Sequence, residues 1–134
     1  MTGRPTAAAT VTDRLLAGIE AGSIPADTFS EEASLDATVP NWRFSVRGRA
    51  AVQAQLGEWY SVPGQFNSVE RTSLPGGELV EFTLTWEEEG VPYTCHQVHI
   101  LALADGRVTQ DTVFCGGRWP QALVAQMRAA ANQT

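Results

Sequence analysis

The sequence contains no lysine, so all nine of its basic side chains are arginines. Fifteen acidic side chains outnumber them, and the formal net charge at pH 7 is -6. A chain with this charge repels the phosphate groups of nucleic acids and of anionic membranes. We therefore expect neither nucleic acid nor a membrane as a partner.

Cysteine is also scarce. The chain has only Cys95 and Cys115, which is too few for a disulfide framework. Neither belongs to a Cys-x-x-Cys pair or a similar ligand spacing, so we expect no metal and no cofactor. The N-terminus, MTGRPTAAAT, lacks an apolar stretch long enough for a signal peptide, and no segment is long enough to span a bilayer. We expect a cytoplasmic protein with reduced thiols.

A length of 134 residues suits one domain, which we assign to 1–134, with residues 1–9 frayed. The helices are expected first and the strands mostly after them, which is typical of the α+β class. Apolar periodicity and turn residues predict a helix over 10–22, a short helix opened by Pro25, strands over 33–39 and 42–46, a helix over 49–60, strands over 66–74, 79–87, 93–104 and 107–117, and a last helix over 119–131.

The dipeptide Asp105-Gly106 separates two β-type runs and indicates a hairpin. A three-residue loop with Gly106 in the left-handed conformation pairs Leu103 with Arg107, and hairpin chemistry favours this loop. A tight two-residue turn is the alternative. It shifts the register by one residue, which changes the residues that face each other.

The favoured register has two consequences for chemistry. It places His99 opposite Asp111 and Cys95 opposite Cys115. The two-residue turn would instead place His99 opposite Thr112 and separate the cysteines. Facing cysteines on paired strands are a strained site for a disulfide, so we expect two free thiols in either case.

Side chains alternate across a strand, so the hairpin has two faces. One face carries the polar candidates and is expected to face a pocket; it contains Tyr93, Cys95, Gln97, His99, Leu101, Leu103, Thr109, Asp111, Val113 and Cys115. The other face is apolar, has no helix left to cover it, and is expected to form a homodimer; it contains Val98, Ile100, Ala102, Val108 and Phe114.

The order of elements resembles the nuclear transport factor 2-like superfamily, especially its SnoaL-like and ketosteroid-isomerase-like members. The resemblance covers about residues 11–117. It includes a loop-helix FSEEA at 29–33 before the first strand, RGR at 47–49 opening the third helix, and the hairpin DGRV at 105–108. It implies a cone-shaped, curved mixed sheet wrapped around the N-terminal helices, with a pocket inside, and leaves the last helix as an addition.

The resemblance also bears on individual residues. Steroid isomerases of the superfamily use a tyrosine on the first helix, an aspartate base on the first strand and a protonated aspartate on the penultimate strand. The matching positions here are Leu15, Ala37 and His99, so two of the three groups are missing and that mechanism is not expected. Asp36 adjoins the missing base and is a possible additional acid if a bulge turns it inward.

SnoaL-like polyketide cyclases are similar in placing a histidine and an aspartate on the last two strands, which implies that His99 and Asp111 are the catalytic pair. Imidazoles titrate near neutrality, and a carboxylate on the next strand, with Cβ atoms about 5 Å apart, would fix the tautomer of the ring. The alternative is a structural hydrogen bond in the core. The residues expected to line the pocket are Trp42, Trp59, Phe82, Trp86, Tyr93, Cys95, Gln97, Val113 and Cys115.

Three functions stay open at this point. The first is a small-molecule enzyme of the cyclase, isomerase or hydratase type that acts on a hydrophobic or keto-type molecule. The second is a non-catalytic ligand-binding protein, and the third is a structural dimer module. A cavity containing His99 and Asp111 would favour the enzyme, a cavity without them the binding protein, and a filled cone the module.

Overall fold

The computed structural model describes residues 10–132, so the expected fraying of residues 1–9 lies outside the described part of the chain. The class is α+β, as predicted, and the elements follow in the predicted order. They are α1 (Val11–Ala21), a 3₁₀ helix (Ala26–Thr28), β1 (Phe29–Val39), β2 (Trp42–Arg47), α2 (Arg49–Trp59), β3 (Gln65–Leu74), β4 (Gly77–Glu88), β5 (Val91–Ala104), β6 (Arg107–Pro120) and α3 (Gln121–Ala131).

The boundaries of α1 follow from its capping residues. The Thr10 hydroxyl accepts a hydrogen bond from the Asp13 backbone N–H, and the Asp13 carboxylate accepts one from the Thr10 N–H. This reciprocal pair satisfies N–H groups that the first helical turn leaves unpaired. The helix ends at Gly22, which adopts the left-handed conformation with φ of 75°.

The first strand begins earlier than the sequence predicts. The segment 29–33, expected as a loop-helix, already belongs to β1, and only Ala26–Thr28 is helical. Phe29 pairs with Val108 of β6 and is fully buried. Burial of this large apolar side chain favours the extended backbone here.

The six strands form one mixed sheet in the order β2-β1-β6-β5-β4-β3. Strands β1 and β6 are parallel, and every other neighbouring pair is antiparallel. The sheet is curved, and α1 and α2 contribute to the core through the apolar stripes predicted for them. The core residues of the two helices are Val11, Leu15, Ile19, Val52, Leu56 and Tyr60, the last just beyond the end of α2. No helix within residues 10–132 is both long and apolar enough to cross a membrane.

The β5–β6 hairpin differs from the favoured prediction. Ala104 pairs with Arg107, and Asp105 and Gly106 both have positive φ, of 54° and 71°. This is the tight two-residue turn, whose twist matches that of the flanking strands. The expected three-residue loop, and with it the pairing of Leu103 with Arg107, is wrong.

A β-bulge follows directly after this turn. Leu103 pairs with Val108, but Ala102 pairs with Gln110, so Thr109 is an extra residue on β6. The bulge shifts the register of the rest of the hairpin by one further residue. As a result the side chains of β6 beyond the bulge return to the faces that the sequence predicts for them.

The bulge decides where the two acid-base candidates lie. His99 is opposite Val113 and Asp111 is opposite Leu101, so the predicted direct pairing of His99 with Asp111 is wrong. Both side chains nevertheless point to the inner face, on neighbouring strands and diagonal to each other. The turn alone would have placed them on opposite faces, and the bulge brings them back to one face.

A second bulge lies near the far end of β6. Gln97 pairs with Cys115 but Cys95 pairs with Arg118, so β6 again contains one residue more than β5. The expected pairing of Cys95 with Cys115 is therefore wrong. The extra length is accommodated at Gly117, whose φ is 108°, a value that residues with a side chain rarely adopt.

The outer face of the hairpin also differs in one residue from the prediction. Val108 is buried on the inner face, because it precedes the Thr109 bulge and follows the two-residue turn. Val98 and Ile100 are half-buried and Phe114 is exposed, as expected for the outer face. Helix α3 covers part of this side, where Val124 borders a groove.

We expect the substitution Gly117→Ala to destabilise the protein by roughly 1–3 kcal/mol, because it forces a side chain into a strained backbone conformation. An added Cβ atom would also lie 2.8 Å from Nε1 of Trp119. Urea unfolding followed by circular dichroism measures the change. Gly57→Ala in α2 is the matched control, since no atom lies within 4 Å of its Cβ position. The control substitution should raise the free energy of unfolding by about 0.5–1 kcal/mol. Equal stability of the two variants would contradict the predicted backbone strain at residue 117.

Candidate functional site

A cavity of about 400 Å³ opens between the C-terminal end of α2 and the inner face of the sheet. Its wall is mainly apolar, which is usual for a small-molecule site. The presence of this space excludes a completely filled interior. Five of the residues expected in the pocket line the cavity: Trp59, Trp86, Cys95, Gln97 and Cys115.

Four expected pocket residues are not part of this wall. Trp42 is 67% exposed, because it begins β2, the edge strand of the sheet. Phe82 and Val113 are fully buried in the core, deeper than the cavity. Tyr93 is half-buried and stacks on Trp86, with ring centroids 5.9 Å apart. It therefore supports a wall residue without contributing to the wall itself.

Two polar residues of the wall were missed as pocket residues. Tyr60 belongs to the apolar stripe of α2, and the sequence allows it to line or cover the pocket mouth but favours packing. Its hydroxyl group was the available signal, because a buried tyrosine hydroxyl usually has a hydrogen-bond partner. Arg118 reaches the wall because of the bulge at Gly117, and the available signal was the pair Gly116-Gly117, since glycine inside a strand often marks a bulge.

Tyr60 connects the cavity to His99. The tyrosine follows the last residue of α2, and its hydroxyl points toward the inner face of β5. It donates a hydrogen bond to Oε1 of Gln97 and lies 3.0 Å from Nε2 of His99. The Gln97 amide in turn donates to the sulfur of Cys115 over 3.2 Å. The polar side chains at the floor of the cavity thus form one hydrogen-bonded network.

His99 and Asp111 lie directly behind this floor and do not line the cavity. Nδ1 of His99 is 2.7 Å and 3.0 Å from the two carboxylate oxygens of Asp111, and the side chains are 1% and 0% exposed. The neighbours of Asp111 across the sheet are Leu35 and Leu101, which offer no polar group. The imidazole is therefore the compensating partner for this buried carboxyl.

The hydrogen-bond directions determine where the protons lie. Tyr60 has one hydroxyl proton and donates it to Gln97, so Nε2 of His99 must supply the proton of the Tyr60–His99 bond. A second proton lies between Nδ1 and the Asp111 carboxyl. Whichever of these two groups holds it, the pair as a whole is neutral. A neutral pair can be buried at much lower cost than a single charge.

The Tyr60 hydroxyl remains protonated over a wide pH range. Burial raises its pKa well above the ordinary value near 10, and the thiols of Cys95 and Cys115 and the Asp111 carboxyl act in the same direction. The group that reaches the cavity is thus a proton donor and not a phenolate. Phe82 stacks on the His99 ring at 5.4 Å between centroids and helps to hold its orientation.

Asp36, the possible additional acid, does not face the cavity. It pairs with Thr112 of β6 on the outer side of the sheet and forms a salt bridge with Arg43, with a distance of 2.9 Å. The hydrogen bonds from Arg43 lower the pKa of this carboxyl. No bulge turns it inward, so the suggested role is not supported by its position. Across residues 10–132, no three or more His, Cys, Asp or Glu side chains are grouped so that they could hold a metal ion.

No protein-family model matches the sequence, and no curated protein matches it either. Several solved structures do match the fold. One is a nuclear transport factor 2-like protein of Anabaena variabilis, with a TM-score of 0.69 and 13% identity over 80% of this chain and 84% of that chain.

Two further matches carry functional names. The "putative polyketide cyclase" of Pseudomonas putida has a TM-score of 0.61 and 17% identity, over 80% of this chain and 90% of that chain. The "putative isomerase" of Bacillus subtilis has a TM-score of 0.61 and 16% identity, over 79% and 84%. The chain therefore has the nuclear transport factor 2-like fold, as predicted, with α3 as a C-terminal helix.

Both cysteines are free thiols in the structure, and their surroundings differ. Burial raises the pKa of Cys95 to about 12, whereas the half-buried Cys115 accepts hydrogen bonds from Gln97 and from the Gly117 N–H. Because the thiolate is the reactive form, we expect iodoacetamide at pH 8 to label Cys115 at least tenfold faster than Cys95. Peptide mass spectrometry of timed samples measures both rates. Equal labelling of native protein would contradict this difference, and urea-denatured protein, in which the rates should converge, is the control.

Proposed function

We propose that this protein is a small-molecule enzyme of the cyclase, isomerase or hydratase type, similar to SnoaL-like proteins. In this proposal Tyr60 transfers a proton at the cavity floor, and His99 and Asp111 supply or accept that proton from behind. One observation carries the proposal: the hydrogen-bonded series from the Asp111 carboxyl through His99 to the Tyr60 hydroxyl ends at the wall of a cavity.

The proposed step moves two protons in the same direction. The Tyr60 hydroxyl donates its proton to a carbonyl or enolate oxygen of the bound molecule, and Nε2 of His99 passes its proton to the Tyr60 oxygen. Asp111 compensates charge on the ring throughout. Donation to the carbonyl oxygen makes the neighbouring C–H acidic, and water in the open cavity accepts the α-proton to leave the enol. The reverse sequence returns a proton from water to that carbon and so exchanges it. Since the groups are already positioned and shielded from water, little reorganisation is needed.

The cavity wall suits the expected class of ligand. The aromatic side chains of Trp59 and Trp86 offer apolar surface, and Tyr60 and Gln97 offer uncharged polar atoms at the floor. A small hydrophobic molecule with a keto group matches this distribution. The names of two structural neighbours, a "putative polyketide cyclase" and a "putative isomerase", agree with this class of reaction.

A ligand-binding protein without catalysis is the second candidate, and one observation favours it. His99 and Asp111 do not line the cavity, and their hydrogen bonds are satisfied within the protein. In that case the pair would only hold Tyr60 and Gln97 in place for binding. The two candidates differ in whether a bound ketone exchanges protons.

We expect the protein to catalyse exchange of the α-protons of 2-tetralone in D₂O, measured by proton NMR. Tyr60→Phe, His99→Gln and Asp111→Asn should each lower the exchange rate by about a hundredfold or more, because general acid-base catalysis contributes about that factor. Binding of the ketone, followed by tryptophan fluorescence, should weaken much less.

The control is His96→Gln, which removes the other histidine. His96 lies on the outer face of β5, opposite to the proposed proton path, and contacts Glu81 over 2.6 Å. Its exchange rate should equal that of the wild type. Binding of the ketone without proton exchange would favour the non-catalytic binding protein. An exchange rate that is the same in the wild type and in all three site variants would refute the proposed roles.

We also propose a homodimer formed through the outer face of the β5–β6 hairpin. Phe114 is 48% exposed there, beside the half-buried Val98 and Ile100. Helix α3 lies toward Thr83, Thr85 and Thr94 and borders a groove with them. A two-fold related copy could bury the remaining apolar surface.

Light scattering at micromolar concentration should give twice the chain mass of 14.4 kDa. Phe114→Glu should shift the protein to monomer, because it places a charge in an apolar contact. Phe114→Leu is the matched control and should stay dimeric. A wild-type mass of one chain would contradict the dimer.

A further inference from the structure

The wall of the cavity contains one charged side chain among the described residues, and it is cationic. Arg118 lies opposite Cys95 at the end of the hairpin, where the bulge at Gly117 turns it to the inner face. No carboxylate from residues 10–132 lies in the same wall. The nearest acidic side chain to this arginine is that of Glu88, which stands beside the cavity and contributes no atom to the wall.

Arg118 is held in a defined position at the wall. One of its terminal nitrogens donates to Oε1 of Glu88 over 2.7 Å, and the guanidinium carbon lies 4.9 Å from the centroid of the Trp86 ring. The same Glu88 oxygen accepts a hydrogen bond from Nε1 of Trp86 over 3.0 Å. Two different contacts thus orient the guanidinium plane, as a binding group requires.

The ion pair with Glu88 does not use the whole binding capacity of Arg118. A guanidinium carries five N–H donors, and Glu88 engages one terminal nitrogen. Arginine commonly binds carboxylates through two parallel N–H bonds. The pair is also largely exposed, with 51% and 39% of the two side chains accessible, so its own contribution to stability is small.

The polar groups of the wall lie at two separate levels. The pair Cys95–Arg118 and the pair Gln97–Cys115 are two residues apart along β5, which corresponds to roughly 7 Å in a strand. Tyr60 lies at the second level, in contact with Gln97. Apolar side chains fill the remaining wall, Trp59 and Leu84 among them. The cavity is therefore cationic at one level, uncharged and hydrogen-bonding at the other, and apolar over the rest of its wall.

We infer that the cavity binds a flat, largely apolar carboxylate whose acid group pairs with Arg118 while an uncharged oxygen at its other end meets Tyr60 and Gln97. Only one part of this inference rests on the proposed function, namely the role of the Tyr60 end of the cavity. The carboxylate orients the molecule, so that the carbonyl oxygen and not the acid reaches the proton donor. Keto acids with one or two rings between the two groups have the required shape.

The test compares 6-acetyl-2-naphthoate with its methyl ester, which has the same rings and ketone but no charge. Isothermal titration calorimetry of the wild type should show the acid binding about tenfold tighter than the ester, because charge-assisted hydrogen bonds to arginine are stronger than neutral ones. Arg118→Gln should remove this preference and leave ester affinity within about twofold. The unchanged ester affinity also shows that the variant is folded.

Two further variants separate the role of Arg118 from general charge effects. Glu88→Gln removes the competing negative charge but keeps a side-chain oxygen that can accept from Arg118 and Trp86, so the guanidinium stays oriented. It should strengthen binding of the acid severalfold, with no change for the ester. Arg43→Gln removes an equal charge on the outer side of the sheet, where Arg43 pairs with Asp36, and should leave both affinities unchanged. Weaker acid binding in Glu88→Gln would overturn the inference, as would an effect of Arg43→Gln equal to that of Arg118→Gln.

The outcome is distinguishable from that of the proposed enzyme. In one case the acid binds preferentially through Arg118 while the wild type does not catalyse exchange of α-protons. The ligand class is then supported, and the proposed proton transfer is wrong. If exchange depends on Tyr60 while acid and ester bind alike, the ligand class fails and the enzyme stands. If neither the acid nor the ester binds, the proposed ligand class is wrong.

Discussion

The alternation of side chains along β6 is the constraint on which the site depends. A strand presents every second residue to the interior, so one extra residue exchanges the two faces for everything that follows. Thr109 is such a residue, and it places Asp111 on the same face as His99. A second extra residue near Gly117 does the same for Arg118. The inward positions of Asp111 and Arg118 therefore depend on two local irregularities in one strand.

The buried pair and the cavity floor are energetically coupled. The His99–Asp111 pair is neutral as a whole, which makes its burial among leucine and valine side chains tolerable. Its remaining N–H group is directed at Tyr60, which in turn is bound to Gln97. Removing one member leaves a neighbour with an unsatisfied polar group, so these residues stabilise each other as a unit.

Much of the fold was predictable because local patterns and long-range packing agree. Thr10, Asp13 and Gly22 bound α1 as capping rules predict, and the apolar stripes of α1 and α2 face the core. The site was only partly predictable. Alternation identifies the inner face of β5, but the stripe of α2 favours packing over pocket lining for Tyr60, and the sequence does not exclude a bulge that turns Asp36 inward. The helix pattern reports that a side chain is buried, and it does not report which polar atom lies beside it.

The sequence by itself determined the α+β class, the order of the elements and the set of residues on the inner face of β5, because these follow from periodicity and turn chemistry within a short stretch of chain. Tertiary structure decided the register between β5 and β6, the exposure of Trp42 on an edge strand and the entry of Arg118 into the cavity wall. Asp105-Gly106 is compatible with more than one loop. The choice is made by how well the strands beyond it pair and pack, a property of residues far apart in the sequence that no local pattern contains.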